Sequence, residues 1–253
     1  MISAEELLRG KTAAIFDFDG TIGDTIGLWN EVDVRLAAEL GFEGSDPKEF
    51  HAFREETLKR FKDSDNPYRD YCGEFGKRIG SPLSAEEIHA TRYRISRRML
   101  KEDVKLREGV AATLLKLKSL GLRMAVATTT RRGNIDIYCN TNERIRSELH
   151  LAEVFEGFVT AEDVERIKPD PQCYLKALEL LGVRPEEAFA VEDTVAGAQA
   201  AVAAGLACIG IYEAHSAPYA DELKARTAIF FEDYAAFLLW LGVEPVFCAA
   251  KPS

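Results

Sequence analysis

Short apolar runs that stop abruptly at polar residues, each followed by a stretch of helical spacing, constrain this chain more than any other feature. "TAAIF" ends in "DFDG", "LRMAVA" in "TTT" and "AFAV" in "ED", while "ACIGIY" and "TAIFF" repeat the pattern further on. Such runs are too short for core helices, and their apolar content on both faces suits buried strands. Helical spacing follows near 109–120, 132–149, 171–181, 194–204 and 218–225, and again from 232, with "VFEGFVTAEDV" between the second and third of these. Strands that alternate with helices imply a parallel sheet with right-handed crossovers and helices on both faces, an α/β doubly wound arrangement.

One region breaks this rhythm. After "DFDG" the chain turns helical within "TIGDTIGLWNEVDVRLAAELG", and helical spacing continues near 47–62, 67–79 and 84–101 without strand-like alternation. Ser84, followed three residues later by Glu87, has the pattern of a capping box. The expectation is an all-helical domain over 24–107, inserted into a core made of 1–23 and 108–253. Its charge differs too: Glu43 to Arg107 holds 15 Lys and Arg against 13 Asp and Glu, whereas the whole chain carries -10. Arg92, Arg94, Arg97 and Arg98 are expected on a solvated helix face, and Trp29 and Phe53 in packing.

Composition excludes several classes. A chain of 253 residues with 47% apolar content can bury a core without disulfides. Its five cysteines are odd in number and form no CxxC pair, so neither a disulfide framework nor a zinc ribbon is indicated. The net negative charge repels nucleic acid and anionic membranes. No apolar run approaches the ~18 residues of a membrane span. Glu5 and Glu6 stand where an export signal carries basic residues, so a cytoplasmic location is expected. The expected partner is a small metabolite, with no nucleic acid and no membrane, and the state is monomer or homodimer.

Ligand crevices of open parallel sheets lie beyond the carboxyl ends of the strands. Asp17 and Asp19, Thr128, and Glu192 with Asp193 leave three such ends, and "ERIKPDP" adds Lys168. Four acids brought together would repel by roughly 4 kcal/mol per close pair at an effective dielectric near 20, so a cation must sit among them. Oxygen ligands favour a hard divalent ion, and magnesium, which binds few carboxylates and a phosphate, suits the set better than calcium. His51, His89, His150 and His215 are isolated, which argues against zinc. Magnesium with Lys168 would let a phosphate dianion enter. Gly20 and Thr21 are expected to form an anion-binding nest, with Thr128, the first polar residue after its strand, as a further phosphate contact. Thr129 and Arg131 are carried as substrate contacts, though Thr129 and Thr130 also suit a plain turn and Arg131 a helix surface. Asp17, deeper at the strand end, is the candidate nucleophile, and the more outward Asp19 the candidate proton carrier.

"DFDGT", "AVAT", "KPDP" and "VEDTVAGAQAA", in this order, resemble the four motifs of the haloacid dehalogenase superfamily of phosphohydrolases, over essentially the whole chain. The resemblance implies a Rossmann-like core and an aspartyl phosphate on Asp17, with Asp19 as general acid and then base. It also implies Thr128 and Lys168 on the phosphoryl group, and magnesium on Asp17, Asp193 and the backbone carbonyl of Asp19, with Glu192 helping directly or through water. The helical insert resembles the C1 cap of that superfamily, which closes over small substrates. Asp19 is absent from true dehalogenases, and phosphonatases have a small residue there, so a magnesium-dependent phosphatase is the expectation. Beta-phosphoglucomutases share the cap and the "ED" pair but carry a histidine where Trp29 stands, while "FREETLKR" at 53–60 is loosely similar to a mutase cap segment. A hexose phosphate mutase is therefore the alternative, and a silent phosphate-binding module a third reading.

Overall fold

The computed structural model describes residues 2–43, 46–61 and 64–243, and the chain divides into two units. Residues up to Asp24 and those from Lys105 onward form one unit, and Thr25–Val104 the other.

The first unit is built on six parallel strands: β1 (Ala13–Phe16), β2 (Arg123–Ala127), β3 (Gly157–Val159), β4 (Ala188–Glu192), β5 (Ala207–Ile211) and β6 (Ile229–Phe231). Their order across the sheet is β3-β2-β1-β4-β5-β6. Every residue of β1 and β4 is buried, as expected for strands covered on both faces. Ile15 faces Ala125 on one neighbour and Ala190 on the other. Small residues let a helix approach closely: Ala198, Ala200 and Ala201 of the helix Val195–Ala203 share one buried cluster with Ile15, Ala190 and Cys208. The order in which strands are added reverses between β1 and β4, so the switch point lies where "DFDG" and "ED" leave their strands.

Two helical expectations change. The stretch 132–149 is two helices, Arg132–Asn140 and Glu143–Glu148, because buried Asn142 caps the second by accepting from the amide of Ile145 at 2.9 Å. Near 218–225, Pro218 lies in a 3-10 turn, and the α-helix starts only at Ala220.

The second unit is helical throughout its regular structure, with helices Leu28–Glu39, Pro47–Arg60, Pro67–Ile79 and Ala85–Glu102. The expected end of the second at 62 lies outside the described residues. Pro47 and Pro67 open their helices, where a missing amide proton costs nothing, and Asp46 and Asn66 cap them. The Ser84–Glu87 capping box is present in both directions. Phe50, Tyr71 and Phe75 fill the core, with ring centroids 5.1 and 5.7 Å apart along the chain of contacts. Phe53 packs on Tyr71 with centroids 6.0 Å apart, whereas Trp29 is half-buried.

Arg92 departs from its expected place on a solvated face. It is buried, and its Nε donates to Asp33 at 2.8 Å, while Arg54 reaches the other oxygen of that carboxylate at 2.5 Å. A charge taken out of water needs a partner, and Asp33 supplies one to two arginines at once. Arg94, by contrast, pairs with Glu39 at the surface, and Arg98 is exposed.

Cys72, Cys139, Cys173 and Cys208 are free thiols, and Cys248 lies outside the described residues. No helix among the described residues is long and apolar enough to cross a membrane.

Candidate active site

The site lies in the sheet-based unit at the carboxyl ends of β1, β2 and β4. Asp17 continues β1, its amide donating to the carbonyl of Val191 at 3.0 Å. Phe18, between the two aspartates in the chain, is buried and stacks on Tyr138 with centroids 4.7 Å apart. At Gly20, φ is 81°, a left-handed turn that only glycine takes without strain.

Asp17, Glu192 and Asp193 converge: each offers a carboxylate oxygen, and these lie within 4.8 Å of one another. Lys168 stands among them with Nζ 2.5 Å from Asp17 Oδ1 and 2.6 Å from Glu192 Oε1. Thr21 Oγ1 donates to Asp193 Oδ1 at 2.9 Å, and the hydroxyl of Tyr234 donates to the Thr21 carbonyl at 2.9 Å. Arg107 donates to the Gly20 and Tyr212 carbonyls, tying the turn to the end of β5.

The electrostatics follow from this crowding. Burial pushes the Asp17 carboxyl up to about 8, with Lys168 opposing the rise and Glu192 adding to it. Asp193 is held well above the carboxylate range by burial, then by Asp17 and Glu192. Burial works against the Lys168 ammonium, but Asp17 and Glu192 outweigh it and hold the group above the ordinary lysine range. One cation thus faces three carboxyls.

A divalent cation fits this arrangement. Asp193 Oδ2 is buried and has no hydrogen-bond partner, an expensive state for a carboxylate oxygen unless something positive meets it. The donors are oxygens alone, which suits a hard ion such as magnesium. None of the four histidines belongs to the cluster.

Other expected residues fall in different places. The Asp19 side chain is outside the three-acid cluster and accepts instead from the hydroxyl of Thr130. Thr130, expected as a turn former, therefore touches the second aspartate, and its amide donates to Thr128 Oγ1 at 3.1 Å. Thr128 is buried at the end of β2, whereas Thr129 and Arg131 are exposed. The nest expected at Gly20 and Thr21 is differently used: the Gly20 amide donates to the Gly23 carbonyl at 3.0 Å, and the Thr21 hydroxyl serves Asp193. The Gly20 amide is therefore engaged within the turn. Tyr174 and Tyr234 carried no sequence signal, because a buried tyrosine in an apolar helix reads as core until its hydroxyl has a visible partner.

Comparison with known proteins agrees with this geometry. The haloacid dehalogenase-like hydrolase family matches residues 14–211. Protein CbbY of Cereibacter sphaeroides is 32% identical over 213 residues, which cover 80% of this chain and 86% of that protein. The phosphorylated carbohydrates phosphatase of Thermotoga maritima is 30% identical over 194 residues, 77% of this chain and 82% of the relative. Among solved structures, CbbY from Rhodobacter sphaeroides in complex with xylulose-(1,5)bisphosphate superposes with a TM-score of 0.64 at 27% identity, over 91% of this chain and 99% of that one. Since the family match spans β1 to β5 and takes in the acids at the switch point together with Lys168, the chain belongs to the haloacid dehalogenase-like hydrolases.

Proposed function

We propose that the protein is a magnesium-dependent phosphatase acting on a small phosphomonoester through an aspartyl phosphate on Asp17. One observation carries the reading: three buried carboxyls surround a single lysine, and Asp193 keeps an oxygen without a protein partner. Asp17 and Asp193, with the backbone carbonyl of Asp19 and with Glu192 beside them, would hold the ion. When bound, magnesium neutralises the acids and the phosphoryl oxygens.

Lys168 and Thr128 bind the phosphoryl group at the carboxyl ends of the strands. The Asp17 carboxylate attacks phosphorus as the bond to the leaving oxygen breaks, and Asp19 delivers a proton to that oxygen. Asp19 then takes a proton from water, which attacks the aspartyl phosphate and regenerates Asp17 as inorganic phosphate forms. Thr130 supports this assignment, since a hydroxyl donating to Asp19 fixes the direction of that carboxyl. Thr129 and Arg131, being exposed, are proposed as contacts to the rest of the substrate. The helical unit is proposed as the C1 cap that selects substrates, with the core over 1–23 and 108–253 and the cap over 24–107.

Relatives named for phosphorylated carbohydrates support a sugar phosphate or sugar bisphosphate as substrate. Free thiols support a reducing, cytoplasmic setting. A phosphate-release screen over sugar phosphates, phosphoglycolate and nucleoside monophosphates, with and without MgCl2, tests the reading. Magnesium-dependent release is the expected result. Isomerised hexose phosphate with little free phosphate would point to a mutase instead, and binding without turnover to a silent module.

A further inference from the structure

Both oxygens of Glu192 are engaged by protein donors. Oε1 accepts from Lys168 Nζ at 2.6 Å and from the Tyr174 hydroxyl at 2.5 Å, and Oε2 accepts from Thr194 Oγ1 at 3.2 Å. The carboxylate also occupies space that only a glycine leaves open: a Cβ at position 197 would lie 2.0 Å from Glu192 Cδ and from both of its oxygens. Gly197 sits in the helix Val195–Ala203, where glycine costs about 1 kcal/mol relative to alanine, so a packing reason is needed for it and Glu192 supplies that reason. Tyr174 is fully buried in the helix Gln172–Leu181, and its hydroxyl is spent on this contact.

Lys168 lies between two carboxylates at almost equal distances, 2.5 Å to Asp17 and 2.6 Å to Glu192, so its position is a balance of two attractions. A second donor on Glu192 Oε1 weakens the pull from that side. We propose that Tyr174 is a positioning residue of this site, whose hydroxyl, acting through Glu192, keeps the Lys168 ammonium beside Asp17. Without the phenolic oxygen, Lys168 becomes the sole donor to Glu192 Oε1 and shifts toward it. The phosphoryl group then loses its cation, while Asp17 and Asp193, the acids proposed to hold magnesium, keep their places.

The kinetic half of the test rests on the phosphatase reading, and the binding half does not. Wild type, Tyr174→Phe, Glu192→Gln and the double variant are titrated calorimetrically with MgCl2 alone and then with inorganic phosphate at saturating MgCl2. Release of phosphate from p-nitrophenyl phosphate is followed in parallel. Tyr174→Phe is expected to bind magnesium within about twofold of wild type, to bind phosphate about tenfold more weakly and to lower kcat about tenfold, the loss of one hydrogen bond to a charged group. Because Tyr174 acts through Glu192, the double variant should be no worse than Glu192→Gln alone.

Wild-type phosphate affinity and kcat in Tyr174→Phe would overturn the proposal, and so would additive losses in the double variant. Equal losses of magnesium and phosphate affinity, the sign of a merely structural role, would overturn it as well. Should Tyr174→Phe fail to fold, Gly197→Ala, which pushes on the same carboxylate, must show the same split between magnesium and phosphate. If wild type releases no phosphate, the phosphatase reading falls, while the two titrations still decide the role of Tyr174.

Discussion

The ammonium of Lys168 lies 2.5 Å from the carboxylate of Asp17, a residue 151 positions away in the chain. Both side chains are almost entirely buried, at 5% and 10% exposure. Removing the lysine leaves two buried carboxylates, Asp17 and Glu192, without the cation they share, which costs more than the pair contributes. Lys168→Met is therefore expected to destabilise the protein by about 3–5 kcal/mol in urea denaturation and to abolish phosphate release. A variant that keeps wild-type stability would show that Asp17 and Glu192 do not depend on the lysine.

Asp17→Asn should act in the opposite direction on stability. It removes one of three crowded acids, so the magnesium-free protein should unfold at the same or a higher temperature than wild type, while magnesium-dependent phosphate release disappears. Retained turnover would exclude a covalent role for Asp17.

The same crowding sets a dependence on pH. The carboxyl of Asp17 ordinarily titrates near 3.8 and stands at about 8 in the folded, metal-free site. A folded-state pKa above the unfolded one means that the stabilisation is fully present below about pH 4 and is lost as pH rises through about 8. Asp193 shifts the same way. Magnesium bound among these acids would favour the ionised carboxylates and reverse this loss. The rise in Tm on adding MgCl2, measured by differential scanning calorimetry against a chelator control, should grow from pH 5.5 to pH 8. A rise that is constant or shrinks over that range would contradict the placement of the ion among these acids.

Thr130 reaches Asp19, while its neighbour Thr129 is exposed. Thr130→Val is expected to lower kcat about tenfold at unchanged magnesium dependence, through the loss of one hydrogen bond to a carboxylate. Thr129→Val, at a proposed substrate contact, should raise KM and leave kcat near wild type; equal losses of kcat in both variants would assign the effect to the turn and not to the contact with Asp19.

In the helical unit, Asp33 is the common partner of Arg54 and Arg92. Asp33→Ala should cost about 3–5 kcal/mol in chemical denaturation, because it strands two buried guanidinium groups. Arg94→Ala, which breaks a surface pair with Glu39, should cost less than about 1 kcal/mol. Similar costs for the two would place Arg92 back on a solvated face.

Local chemistry made much of this protein legible in the sequence. Apolar runs long enough for one strand, capping residues such as Ser84 and prolines at helix starts act over a few residues, so the succession of elements and the acids at strand ends could be read directly. Asn142 shows the limit of that reading: one buried side chain splits an apparently continuous helical stretch, and periodicity does not register it. Tertiary structure alone decided that β1 lies between β2 and β4, and hence that Asp17 meets Lys168 and Asp193. It alone turned Thr130 to Asp19, Tyr174 to Glu192 and Arg92 inward to Asp33. These contacts join residues from distant segments, and their partners are chosen by strand order and by the direction in which each helix faces the core. Neither quantity is encoded within the few residues over which sequence patterns act.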